Sequence, residues 1–161
     1  IFALMVLVTF LFQNISGFFP RPFSLSAMLL IPLTVCLGMF EGEFAGAFYG
    51  LFAGALWDIV ASRGAGVHAL VLMLAGCICG LLIHYTMRNN LACAFVLTSI
   101  VCFVHNFFYW LFCVAFVNMD GAFYALWRYY LLSGIYTILL TPLFYFIIRA
   151  IMKSFRDLAK Q

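Results

Sequence analysis

Residues 91–117 run without a single formal charge, and that stretch limits the fold more than any other. As a helix rising 1.5 Å per residue it is about 40 Å long, enough to cross a hydrocarbon core of about 30 Å with tilt or protrusion to spare. It is continuously apolar and does not alternate, which favours a helix over a strand of a barrel. Five further apolar stretches, at about 1–12, 25–40, 44–60, 67–87 and 131–151, are separated by short polar or proline-containing turns. Only 8% of residues are charged and 68% are apolar, with 20 phenylalanines in 161 residues, and a soluble domain of this size needs more polar surface. The expectation is an all-α integral membrane protein, a bundle of six transmembrane helices forming one domain over residues 1–161. Six apparent spans argue against a simple secretory leader.

Within the third span, Gly42, Gly46, Gly50 and Gly54 recur every fourth residue and Asp58 completes the row. Lipid supplies no hydrophobic drive between helices, so a smooth glycine row serves by letting another backbone approach to van der Waals contact. The fourth span offers a second pair, Gly76 and Gly80, as natural partners for the row. Packing between helices and docking of a partner helix are both open uses of these six glycines. Asp58 lies near the end of an apolar run, where an ionisable side chain is costly, and it is placed to pair with Arg63 or His68. The connection after it contains Gly64 and Gly66, which permit backbone geometry other residues disfavour.

Polar groups inside the spans are few. His105 and Asn106 fall in the fifth span with no other histidine at i±3 or i±4 and no nearby acid, so interhelical hydrogen bonding is their expected role. An approach of His84 to His105 is conceivable. Ser133, Thr137 and Thr141 recur at four-residue spacing, able to bond local carbonyls or a neighbouring helix, and Pro142 should kink the last span. The six cysteines all fall in apolar runs and read as free, and Cys77-Ile-Cys79 has neither redox nor zinc spacing. No hydrolase, metalloprotease, P-loop or dinucleotide fingerprint is present. Neither catalysis, nor a metal, nor a cofactor is expected.

Arg149, Lys153, Arg156 and Lys160 form a basic stripe on one helical face of the tail, suited to anionic lipid head groups at about 1 kcal/mol per residue. The tail is too short to suggest nucleic-acid binding. With six spans, the side holding both termini carries Arg88 and this stripe, while the other carries Arg21, Arg63 and Arg128. Five against three favours cytoplasmic termini.

Several segments together resemble the rod shape-determining protein MreD family of bacteria. They are Pro22-Phe-Ser-Leu25, the stretch Gly50-Leu-Phe-Ala-Gly-Ala-Leu-Trp-Asp58 followed by Gly66-Val-His-Ala-Leu70, and Leu-Leu-Thr-Pro142 with its basic tail. The part ending in Trp57-Asp58 is the most specific. One position departs: Thr137 stands where the family's asparagine is expected, five residues before the last-helix proline. The resemblance implies a six-helix bundle similar to the substrate-binding subunits of energy-coupling factor vitamin transporters. It implies a place in the bacterial cell membrane within the cell-elongation complex, associated with MreC and through it with MreB, RodA and a class B penicillin-binding protein. The leading expectation is a non-enzymatic scaffold binding the single membrane helix of an MreC-like partner. The rival is a small-molecule subunit of a vitamin transporter, although Ala3 is followed at i+4 by Leu7, so the small-residue signature of such subunits is missing from the first helix.

Overall fold

The computed structural model describes residues 1–15, 28–61, 66–86, 89–110 and 131–158, and every regular element among them is helical. In chain order these are α1 (Phe2–Asn14), α2 (Leu30–Glu41), α3 (Glu43–Ala61), α4 (Val67–Tyr85), α5 (Leu91–Trp110), α6 (Leu131–Leu139) and α7 (Thr141–Leu158). Four stretches are long and apolar enough to cross a membrane: α3, α4, Leu91–Phe108 of α5, and Ser133–Ser154 across α6 and α7. The other two apolar helices, α1 and α2, are shorter. The protein is therefore a helical membrane protein. The Phe18–Phe23 turn, Arg63, Arg88, Cys113, the turn at Asn118–Gly121, the aromatic segment 123–130 and Lys160 lie outside the described residues.

The shortest of these apolar helices after α6 sits at the centre. Every residue of α2 from Leu30 to Met39 is buried, as befits a helix that is apolar all round, and it touches α1, α3, α4, α5, α6 and α7. Pro32 falls in its first turn, where a missing N–H would have had no helical partner in any case. The carbonyl that Pro32 leaves free, that of Met28, accepts instead from the Ile31 N–H at 3.2 Å.

Gly42 does not belong to the α3 glycine row as a helical residue. It stands between α2 and α3 with φ +93° and ψ −178°, a conformation that residues with a Cβ rarely adopt, and so turns one helix into the next within a single residue. The two helices then leave the corner in close contact, since a Cβ on Gly46 would lie 2.7 Å from Gly38 Cα. Gly38 is held to glycine by α4, since a Cβ there would run into the Gly76 carbonyl.

The remaining row packs on α4. A Cβ on Gly54 would meet His68 O at 2.5 Å, one on Gly50 would run into the Leu72 carbonyl, and one on Gly46 would meet Gly76 O at 2.5 Å. From the other side, a Cβ on Gly80 would lie 2.6 Å from Glu43 N, and one on Gly76 would run into the Gly46 carbonyl. Each step of four along α3 is answered by a step of four backwards along α4, so the two helices are antiparallel in a fixed register. Backbone contact at every rung supplies the dispersion energy that lipid exclusion cannot.

Helices ending at membrane depth need partners for their terminal N–H and C=O groups, and here neighbouring helices supply them. The Gln13 side-chain oxygen at the end of α1 accepts from Leu30 N at 3.2 Å, and Thr137 Oγ1 of α6 accepts from Met28 N at 3.1 Å. At the other end of α2, Asn89 Nδ2 donates to Met39 O at 3.1 Å, while Tyr145 of α7 donates to Asn89 O at 3.3 Å. The last span breaks at Leu140: Leu140 N bonds Thr137 O and Leu143 N bonds Leu140 O, both at 3.2 Å in tightened three-residue turns. Pro142 has no N–H to continue the ladder and its ring crowds the preceding turn, so the expected kink is a break between α6 and α7.

Candidate functional site

The end of α3 and the start of α4 hold a buried polar cluster. Asp58, on the last turn of α3, reaches the opening turn of α4, where its two carboxylate oxygens accept from His68 N at 3.3 Å and Ala69 N at 2.9 Å. The α4 start has no side-chain cap of its own, because its N-cap is Gly66, in a left-handed conformation at φ +81°. Asp58 therefore caps a helix from another helix, and its charge faces the positive end of the α4 dipole. The sequence suggested pairing with Arg63 or His68. Asp58 meets His68 through its backbone N–H, together with that of Ala69, and Arg63 lies outside the described residues.

The Asp58 contact aims the His68 side chain inward. His68 Nδ1 and His105 Nε2 share a hydrogen bond of 2.8 Å between α4 and α5, and both residues are buried. Their ring centroids are 4.9 Å apart with planes 22° from parallel, so with this N···N contact the imidazoles meet edge to edge. The Trp57 indole lies over both, 4.7 Å from His68 at 9° and 5.1 Å from His105 at 20°. Aromatic contacts of this kind contribute about 0.5–1.5 kcal/mol each. His105 Nδ1 is enclosed and has no hydrogen-bond partner among the described residues. Asn106 is buried at the α5–α6 contact, where a Cβ on Gly134 would lie 3.6 Å from its amide nitrogen.

His105 thus makes the interhelical hydrogen bond expected of it, with His68 as the partner. His84 does not approach it. It lies at the opposite end of α4, largely exposed, with its Nδ1 3.6 Å from Glu43 Oε2, because the antiparallel register brings the end of α4 to the start of α3. Among the described residues no group of three histidine, cysteine or acidic side chains is arranged to hold a metal ion, and Cys36, Cys77, Cys79, Cys93 and Cys102 are free.

The other residues singled out in the sequence occupy separate places. Gly46, Gly50, Gly54, Gly76 and Gly80 form the α3–α4 seam and Gly42 the corner beside it. Thr137 is buried, donates to Ser133 O at 2.8 Å and caps the approach to α2. Pro142 sits at the α6–α7 break. Arg149 and Lys153 are exposed on α7, Arg156 belongs to the same helix, and Arg63 and Lys160 lie outside the described residues. Gly38 escaped the sequence reading although it precedes Gly42 by the same four residues. Gln13 and Asn89 gave no signal, since a polar residue near a turn is unremarkable until the helix end it serves is known.

Beside the cluster, α4 and α5 flank an open groove of about 520 Å³. Its lining carries aliphatic and aromatic side chains and the Cys79 thiol, with no charged or hydroxyl group.

Comparison of the chain with protein families, with curated proteins and with solved structures finds no match.

Proposed function

We propose that the protein is a non-enzymatic scaffold of the bacterial rod-shape machinery, an MreD-like protein of the cell membrane that binds the membrane helix of an MreC-like partner. Through that partner it is linked to MreB, RodA and a class B penicillin-binding protein, and so helps organise peptidoglycan synthesis during elongation. The full reading is a six-span bundle with cytoplasmic termini and a basic tail on anionic lipid.

The observation that carries the reading is the meeting of Trp57, Asp58 and His68. These residues come from the two segments on which the MreD resemblance rests most; Asp58 and His68 are ten positions apart, yet with Trp57 they act as one unit that closes α3 onto α4 and ties α4 to α5. Such a unit serves a rigid bundle whose task is to present helix faces. The vitamin-transporter alternative calls for convergent polar groups lining a pocket, and the α4–α5 groove has an apolar lining.

Co-expression with the MreC-like protein of the same genome, followed by purification in mild detergent, tests the proposal. Retention of that partner is expected. Its loss under conditions where the protein stays folded, or nanomolar thermal stabilisation by a vitamin, would reject the scaffold reading.

A further inference from the structure

Thr137 and Thr141 lie one turn apart on the last span, yet their hydroxyls fare differently. Thr137 Oγ1 donates to Ser133 O and accepts from Met28 N. Thr141 Oγ1 is enclosed and has no hydrogen-bond partner among the described residues, and Thr98 Oγ1 on α5 is in the same position. A helical threonine ordinarily turns its hydroxyl to a carbonyl one turn back. Two that do not, both at 0% exposure, signal a partner lying between the helices. We infer that one buried water molecule is that partner, held inside the bundle where the broken last span meets α2 and α5.

The packing sets both threonines at one level. Gly134 of α6 lies beside Asn106 of α5, and Tyr145 of α7 bonds Asn89 just before α5 begins, so the last span runs antiparallel to α5. Thr98 stands eight residues back from Asn106 and Thr141 seven residues on from Gly134, rises of about 12 Å and 10 Å. Thr98 is also seven residues, close to two full turns, from the buried His105, which puts it on the inward face of α5. The helices α2, α5 and α7 all touch one another, so groups fully buried on them at one level face a common core.

The break supplies a third group. Pro142 has no N–H, so the carbonyl four residues back, that of Ile138, loses its helical donor, and the tightened turns at Leu140 use the carbonyls of Thr137 and Leu140 instead. A broken membrane helix is tolerated where side chains or ordered water satisfy the freed groups. Two hydroxyls and one carbonyl match the about three hydrogen bonds of a buried water: it donates to the Ile138 carbonyl and one hydroxyl and accepts from the other. An apolar occupant would leave all three unpaired. A cation would find oxygen atoms but no countercharge, since α5, α6 and α7 as far as Arg156 contain no acidic residue and Glu41 is the last residue of α2. A bare charge at that depth is costly, so the ligand is polar and neutral.

The test is a structure of the whole protein in lipid nanodiscs, at a resolution that shows ordered water, together with melting temperatures of Thr98→Val and Thr141→Val. A solvent peak within hydrogen-bond distance of both hydroxyls is expected. Valine keeps the shape of threonine and removes the hydroxyl, so each variant takes one hydrogen bond from the water and should melt about 2–4 °C lower. The double variant should lose less than the sum of the two, because the groups share one ligand. A valine variant that melts at or above wild type would mean a dry site relieved of an unpaired hydroxyl, and would overturn the inference. So would hydroxyls bonded directly to each other or to a carbonyl with no solvent peak. A melting temperature that rises when sodium replaces choline as the only added cation would make the occupant a cation and overturn it too. Partner retention is not read in any of these measurements, so the scaffold reading stands or falls separately.

Discussion

On one side of α4 the backbone of α3 lies so close that no Cβ fits at Gly46, Gly50, Gly54, Gly76 or Gly80; on the other, α5 stands off and leaves a groove of about 520 Å³. The same helix, equally apolar on both faces, is bound to one neighbour by its backbone and to the other by a histidine pair. Side-chain volume makes the difference. A row of hydrogen atoms gives a flat face on which a second helix settles along its whole length, whereas α5 has no glycine and packs with α4 on α2, which touches both. Composition alone would call both faces membrane packing. Their geometry separates a face that folds the chain from a face that lines a groove.

The largest effect is expected at the closed face. Leucine at Gly50 would drive a branched side chain into the Leu72 carbonyl, and no rotamer avoids a clash that begins at Cβ, so Gly50→Leu should give no monodisperse protein on detergent extraction. Gly50→Ala offers the graded version, at roughly 1–3 kcal/mol for overpacking, seen as a lowered melting temperature. If Gly50→Ala melts like wild type, α3 and α4 are not in backbone contact there.

Next comes the cap at the head of the same seam. Asp58→Ala removes both acceptors from the start of α4 and should cost about 0.5–2 kcal/mol, the range for losing a helix cap. Asp58→Asn keeps one acceptor oxygen and should cost less. Equal losses for the two would mean that the charge facing the helix dipole, and not the hydrogen bonds, carries the stabilisation.

Smaller again is the tie at the open face. A double-mutant cycle on His68 and His105 should return a coupling of about 0.6 kcal/mol and at most ~1.7 kcal/mol, the range measured for hydrogen bonds between membrane helices. Hydrogen exchange in the single variants should rise in α5 and not in α3. The smallest effect belongs to Glu43 and His84, whose 3.6 Å contact is open to solvent on the histidine side. Removing either group should shift stability by less than about 0.5 kcal/mol, and a larger loss would place that end of the seam in a drier setting.

The four-residue period of the glycines was legible in the sequence, as was their natural match with Gly76 and Gly80, because backbone approach demands one residue type and leaves a countable mark. The helical corner at Gly42 was not, since a glycine inside a helix and one at a positive φ look alike in a string of letters. The pairing of His68 with His105 spans 37 positions, and nothing local to either histidine names the other. His84 was an equal candidate until the antiparallel register of α3 and α4 set it at the far end. The groove left no trace, because side chains facing lipid, a neighbouring helix or a partner are drawn from the same leucine, isoleucine and valine.

Whether the glycine row folds the chain or serves as a docking face is tested most directly by measuring melting temperature and retention of the proposed MreC-like partner together on Gly50→Leu. Close packing of Gly50 on the Leu72 carbonyl predicts that the variant loses its melting transition. A Gly50→Leu protein that melts as wild type and fails to retain the partner would make the row a docking face and contradict its role in folding the chain.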